Sequence, residues 1–287
     1  MKLQGSPSLT TLRETIAAAA DRLVSISPTP RLDAELLAAH ASRLSREALL
    51  LRGLDQLAPE TLEDLVARRL AGEPVAYITG TRDFWTISLH VAPGVLIPRP
   101  DSETLIEAAA AHFGAAGPRA VLDLGTGSGA LLLAALDQWP HAHGVGVDRS
   151  PQAVSIARCN AERLGLASRA RIIEGNWAED ILEQFDLILC NPPYVRENED
   201  LPLEVAAYEP ASALYAGSDG LACYRLLAPE TSRLLAPGGL ALFEIGADQG
   251  ELAAAIFRGA GHEPRLLKDL AGRNRCIAIH ATNAAIT

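Results

Sequence analysis

The chain has 287 residues, 48% of them apolar and 21% charged, the balance of a folded protein with room for one large and one small domain. A formal net charge of −10 disfavours a nucleic-acid partner held by the global field, and no apolar run reaches the roughly 18 residues of a membrane span. Cys159, Cys190, Cys223 and Cys276 are dispersed without a C-x-x-C pair, so buried free thiols in a reducing cytosol are expected rather than zinc ligands or disulfides.

In chain order, Met1 to Ser8 carries one Lys and no apolar core, so no signal peptide is expected there. Residues 1–72 read as a small helical domain. Thr11 and Glu14 form a capping-box pattern, and Thr29-Pro30 places proline at a first helical position. Leu32, Leu36, Leu37, Leu44, Leu49 and Leu50 then recur at helical spacing. After Pro59, Leu62, Leu65, Val66 and Leu70 share a face that ends at Gly72. Residues 73–100 read as a hairpin linker. Trp85, Ile87, Leu89 and Val91 alternate with polar residues, Pro93-Gly94 turns the chain, and Val95-Leu96-Ile97 reads as a second strand. Residues 101–287 form the large domain. Asp101 is placed to cap a helix running to about Phe113. From residue 120 strands (120–124, 144–147, 171–173, 185–190, 240–245) alternate with helices (128–138, 151–164, 220–235, 249–259). Segments 264–267 and 275–280 close as a hairpin. This order predicts an α/β sheet with helices on both faces. The charge is uneven: residues 1–84 carry a net −1 and residues 85–287 a net −9, which argues against a phosphate-tracking surface on the large domain.

Asn191-Pro192-Pro193-Tyr194 follows the buried-strand run 185–190, at the strand end where open α/β sheets bind ligands. Two prolines make a stiff bracket. It can aim the Asn191 amide oxygen and the Pro192 carbonyl at one point, with Tyr194 closing over it. Two acceptors beside a ring suit a planar NH2 group, a carboxamide or a nucleobase amine, although Asn-Pro alone is also ordinary turn chemistry. A second strand end carries Asp123-Leu124-Gly125-Thr126-Gly127-Ser128-Gly129, a loop that lets the backbone approach a ligand over a helix terminus. Asp148 ends the next strand and is placed to accept from ribose hydroxyls. The spacing is not the G-x-G-x-x-G of dinucleotide sites. A carboxylate two residues before the first glycine repels pyrophosphate but can hold the ammonium of S-adenosylmethionine.

These motifs in this order resemble the class I S-adenosylmethionine-dependent methyltransferases that act on a planar nitrogen. Leu96-Ile97-Pro98-Arg99-Pro100-Asp101-Ser102-Glu103, Arg82-Asp83-Phe84-Trp85 and Glu209-Pro210 make the chain similar, over nearly its whole length, to the HemK/PrmC family. That resemblance implies a Rossmann-like seven-stranded sheet, a cytoplasmic enzyme, and methyl transfer to the glutamine side-chain amide in the Gly-Gly-Gln motif of peptide chain release factors, with S-adenosylhomocysteine as product. It implies cofactor contacts from Asp123, the loop Gly125, Thr126, Gly127, Ser128 and Gly129, and from Asp148, Trp177 and Asn191. It implies a substrate bracket of Asn191, Pro192, Pro193 and Tyr194, with Asn191, Pro192 and Tyr194 carrying the chemistry, and a docking role for the helical domain. Family members often have Asp before the Trp177 position where this chain has Asn176. Arg99 and Glu103 read equally as a helix-start ion pair or as site residues. No metal, membrane or direct nucleic-acid partner is implied, and a monomer is expected. The alternatives are a glutamine methyltransferase of a ribosomal protein, a nucleic-acid amino-methyltransferase, a nicotinamide oxidoreductase and an inactive binding relative. With only residues 281–287 after the last expected strand, a basic target-recognition domain is not expected there.

Overall fold

The apolar runs from residue 120 onward form a seven-stranded sheet in the computed structural model, which describes residues 10–281. Met1 to Ser8 and the tail after Ala281 lie outside the described residues. The chain divides into two units. One comprises the described residues up to Gly80 together with Pro202–Tyr208, the other Thr81–Leu201 and the residues from Glu209.

In the larger unit a short hairpin, β1 (Thr81–Phe84) and β2 (Ile87–His90), precedes the sheet. The sheet comprises β3 (Ala120–Leu124), β4 (His143–Asp148), β5 (Ala170–Glu174), β6 (Phe185–Cys190), β7 (Leu235–Glu244), β8 (Arg265–Lys268) and β9 (Asn274–His280). Its order is β5-β4-β3-β6-β7-β9-β8, parallel except for β9, which runs antiparallel to both β7 and β8. Strand side chains alternate between faces, and β6 uses this. Leu187 and Leu189 join a core with Leu132, Leu136 and Trp139, while Ile188 and Cys190 join Tyr224, Leu227, Phe243 and Phe257 on the other side. Each such side chain contributes about 1.5–3 kcal/mol relative to exposure, so β6 is fixed from both faces. Chain order runs outward from β3 to β5 and then returns to β6 on β3's other side. That reversal opens a crevice beyond the carboxyl ends of β3 and β6.

The smaller unit is helical. Helices Leu12–Leu23, Pro30–Ser42, Thr61–Leu70 and Val75–Thr79 surround Ile16, Leu23, Leu37, Leu49, Leu62 and Val66. The expected capping box is present, with Glu14 N donating to Thr11 Oγ1 at 3.3 Å and Thr11 N to Glu14 Oε2 at 3.0 Å.

Several expectations need correcting. Val95-Leu96-Ile97 is not a strand. The hairpin instead turns at Trp85-Thr86, with Trp85 at φ 54°. Non-local bonds hold that turn: Trp85 N donates to Glu103 Oε1 at 3.0 Å, Trp85 Nε1 to Gln138 Oε1 at 3.0 Å, and Thr86 Oγ1 to Asp137 Oδ2 at 2.6 Å. Asp101 does not cap the helix Glu103–Phe113, which has no side-chain cap. It pairs with Arg275 at 2.9 Å. Arg99 and Glu103 are not a helix-start pair either, because Arg99 bonds Glu209 at 2.5 Å. Cys159 is exposed, while Cys190, Cys223 and Cys276 are buried.

Candidate active site

Gly125 and Gly127 have φ of 74° and 56°, a region that costs side-chain-bearing residues about 1–2 kcal/mol each. The left-handed turns bring the Gly125 and Thr126 N–H groups onto the Val147 carbonyl, at 2.9 and 3.0 Å. Gly127 N donates to Asp148 Oδ2, and Ser150 N to Asp148 Oδ1, both at 2.9 Å. The ends of β3 and β4 are thereby laced together. A Cβ on Gly127 would meet nothing nearer than the Gly125 carbonyl at 4.0 Å, so the loop backbone is open to approach. Beneath it, fully buried Asn160 takes the His90 N–H at 2.7 Å and donates to the Ser128 carbonyl at 2.9 Å, fastening the hairpin to the loop.

The cavity at this crevice is lined by Gly125, Gly127, Asp148, Trp177, Asn191 and Pro193 among the expected residues. Trp177, at φ 53°, lays its ring beside Gly125, where a Cβ would sit 3.4 Å from it. Asn176 also lines the cavity, with its amide donating to Glu179. Thr126 and Ser128 are buried, Gly129 begins the helix Ala130–Gln138, and Pro192 is buried. None of these four lines the cavity, nor do Asp123 and Tyr194.

Asp123 holds the loop from below. Its Oδ2 accepts from Thr126 Oγ1 at 2.6 Å and from Leu132 N at 3.2 Å, and its Oδ1 has no hydrogen-bond partner among the described residues. Burial raises its pKa from 3.8 to about 7, against the two donors, with the Asp148 charge adding to the rise. A carboxyl that binds its proton more tightly when folded makes stability fall as pH rises from the unfolded to the folded pKa, here from 3.8 to about 7, and stay level above that. Asp123→Asn can keep both accepted bonds without a buried charge. Urea unfolding should therefore find Asp123→Asn the more stable protein at pH 8, with a shallower decline between pH 4 and 7. An unchanged decline would rule out a buried ionisable Asp123.

The bracket is tied from behind. Asn191 Nδ2 donates to Ser102 Oγ at 3.0 Å. Asn191 Oδ1 and the Pro192 carbonyl carry no hydrogen bond among the described residues. The Tyr194 carbonyl accepts from Gln249 Nε2 at 2.8 Å, and the Tyr194 hydroxyl donates to Glu244 Oε1 at 3.2 Å. Gly220, at φ 72°, passes so close that a Cβ would lie 2.3 Å from the Tyr194 carbonyl. Burial raises the Tyr194 hydroxyl pKa, and the Glu244 charge adds to the rise. Ser102 and Glu244 were not foreseen as site residues. Their signals were an acid at the end of the apolar run of β7, as with Asp148, and a serine in the Pro100-Asp101-Ser102 stretch. Gly94, Val95 and Leu96 also line the cavity, as a loop rather than a strand.

Residues 14–80 match the family described as the PrmC N-terminal domain, and residues 118–267 match a methyltransferase domain family. A release factor glutamine methyltransferase of Rhodospirillum rubrum is 44% identical over 254 residues, covering 86% of this chain and 78% of that protein. The chain belongs to the release factor glutamine methyltransferase family. A second member, from Caulobacter vibrioides, is 41% identical and covers 93% of this chain and 95% of its own. Among solved structures, a methyltransferase from Pyrococcus furiosus superposes with a TM-score of 0.53 at 18% identity, over 76% of this chain and 98% of that one. The 16S rRNA N2 G1207 methyltransferase of T. thermophilus, in complex with AdoMet and guanosine, does so with a TM-score of 0.51 at 22% identity, over 70% and 50%. Both likenesses are of fold.

As a release factor glutamine methyltransferase family member, the chain is an S-adenosylmethionine-dependent enzyme, and its crevice fits that cofactor. The main-chain N–H groups on Asp148 leave lone pairs on both its oxygens for ribose hydroxyls. The Trp177 ring beside Gly125 offers a flat apolar wall to adenine. Asp148 and the buried Asp123 disfavour a pyrophosphate at the loop.

Proposed function

We propose that this chain transfers a methyl group to the side-chain amide nitrogen of the glutamine in the Gly-Gly-Gln motif of peptide chain release factors. In this reading it works in the cytoplasm as a monomer, takes a protein and not a nucleic acid as substrate, and uses its helical unit to dock that protein. One observation carries the choice of a planar NH2 group as the methyl acceptor. The Asn191 amide nitrogen is engaged by Ser102, so its oxygen, with the Pro192 carbonyl, is left to receive two N–H bonds. The net −9 on residues 85–287 disfavours phosphate backbones, and among the described residues no helix is long and apolar enough to cross a membrane.

S-adenosylmethionine, when bound, supplies its methyl on a sulfonium as the electrophile. An amide nitrogen is a poor nucleophile because its lone pair is delocalised, so the residues must position it. Asn191 Oδ1 and the Pro192 carbonyl accept the two N–H bonds and favour the positive charge that develops on nitrogen. The two prolines keep these acceptors rigid, and Tyr194 packs against the amide plane and excludes water. Such alignment is worth on the order of 7–11 kcal/mol. The displaced proton leaves to water after methyl transfer, once the product departs and the site reopens.

Labelled S-adenosylmethionine tests this. The protein is incubated with a release factor, its Gly-Gly-Gln to Gly-Gly-Ala variant, a short Gly-Gly-Gln peptide, ribosomal proteins and DNA. Label is expected on the intact release factor, weakly on the peptide because docking is missing, and on nothing else. Label on DNA or ribosomal proteins alone, or on the Gly-Gly-Ala variant, would overturn the assignment. Equal use of the peptide would remove the docking role.

A further inference from the structure

Both halves of the bracket end on one buried pair that the reaction as described does not use. β7 lies beside β6, with Cys190 opposite Phe243, so the next residue, Glu244, lies beside the start of the bracket. Its side chain is fully buried. Oε1 takes the Tyr194 hydroxyl; Oε2 makes no further hydrogen bond among the described residues, and the Ser102 hydroxyl lies near enough to stabilise the Glu244 charge. Its main-chain carbonyl is pinned by the Tyr224 hydroxyl at 2.9 Å. A fully buried carboxyl is a poor way to stabilise a fold, because an apolar residue of similar size does at least as well. Ser102 is also buried and receives the Asn191 N–H. The segment bearing Ser102 is itself anchored, since Asp101 pairs with Arg275 at 2.9 Å.

We infer that Ser102 and Glu244 are positioning residues for methyl transfer: Ser102 sets which end of the Asn191 amide meets the substrate, and Glu244 sets the plane of Tyr194. The inference rests on the proposed amide substrate. Without the Ser102 hydroxyl the Asn191 amide can turn, presenting N–H donors to a substrate NH2 that has only donors to offer. Without the Glu244 carboxyl the Tyr194 hydroxyl loses its one side-chain hydrogen bond among the described residues. Neither residue lines the cavity, so cofactor binding is left intact while the reacting nitrogen is misaimed.

The groups facing Glu244 are Arg275 and Cys276 from β9, Cys190 and Tyr194 from the end of β6, Tyr224 from the helix Ala222–Leu234, and Asp101. Burial lifts Glu244 to about 7, opposed by Ser102, Arg275 and Tyr194. An ionised Glu244 makes the stronger, charge-assisted bond to the Tyr194 hydroxyl. The wild-type turnover number should therefore rise with pH through about 7.

The full-length enzyme is assayed on a release factor as wild type, Ser102→Ala, Ser102→Thr, Glu244→Gln and the Ser102→Ala/Glu244→Gln double variant. Thermal melting and calorimetric binding of S-adenosylmethionine accompany each assay. Ser102→Ala and Glu244→Gln are expected to bind cofactor within about threefold of wild type and to lower kcat by about 10²-fold, the size of a ~1 Å misplacement. Ser102→Thr, which keeps a hydroxyl, should recover most of that loss. Glu244→Gln should flatten the rise near pH 7, and the double variant should fall short of the product of the singles. Wild-type kcat in Ser102→Ala with any change confined to melting would leave these residues structural and overturn the inference. If Glu244→Gln fails to fold, Ser102→Ala against Ser102→Thr decides. A wild-type enzyme that labels no release factor refutes the proposed function instead.

Discussion

Asn191→Ala should reduce kcat on a release factor by about 10²–10³-fold at saturating S-adenosylmethionine, the loss seen when one preorganised charge-stabilising group is removed. The side chain holds three positions at once. It lines the cavity, it donates to Ser102 at 3.0 Å, and its Oδ1 has no competing partner among the described residues. Truncation removes the acceptor that orients the substrate N–H, and leaves the buried Ser102 hydroxyl without its donor. Cofactor affinity should weaken only a few-fold, because Gly127, Asp148 and Trp177 are untouched. Asn191→Asp keeps an acceptor toward the substrate but turns the Ser102 contact from donated to accepted, so an intermediate loss is expected. Initial rates on the intact release factor, with cofactor affinity measured separately by calorimetry, check this. Wild-type turnover in Asn191→Ala would sink the bracket mechanism, whatever the substrate proved to be.

What could be read from the chain alone was local. Asp123, the glycine loop, Asp148 and Asn191 sit at strand ends, and strand ends show in sequence as apolar runs that stop at glycine, acid or proline. The closing strands and the capping box at Thr11 have the same local origin. What failed was set by distant partners. Val95-Leu96-Ile97 has the composition of a strand, but the chain turns earlier because Glu103, Asp137 and Gln138 hold Trp85 and Thr86. Asp101 has the look of a cap, yet Arg275 lies 174 positions further on and takes it. Arg99 finds Glu209 across 110 positions instead of the neighbouring Glu103. Ser102 and Glu244 matter only through where β6 and β7 put Asn191 and Tyr194, which no window of sequence contains.

Arg69→Met is expected to destabilise the helical unit by about 3–5 kcal/mol, as breaking a buried ion pair from one side does. Arg69 is 3% exposed. Its Nε donates to Asp33 Oδ2 at 2.8 Å, its Nη1 to the Glu73 carbonyl at 3.3 Å, and its Nη2 meets Glu204 Oε2 at 2.7 Å. Methionine fills much of the volume but leaves Asp33, itself buried, as an unpaired charge in the helical core. Asp33→Asn in the same chain should restore a good part of the loss, because the desolvated charge and not the missing contact dominates it. The effect should reach beyond the helices. Glu204 belongs to Pro202–Tyr208, the stretch that packs with the helical unit although it follows the bracket in sequence by only a few residues. With Arg69 gone, that stretch keeps the Tyr208 hydroxyl on the Ala71 carbonyl at 3.1 Å but loses its ion pair. Amide exchange in residues 202–208 should accelerate in Arg69→Met while β3 and β6 stay protected. Urea unfolding and peptide-level exchange read the two effects separately. Equal stability of Arg69→Met and wild type would mean that Asp33 is solvated in spite of its burial. Unchanged exchange at 202–208 would mean that Glu204 does not anchor that segment.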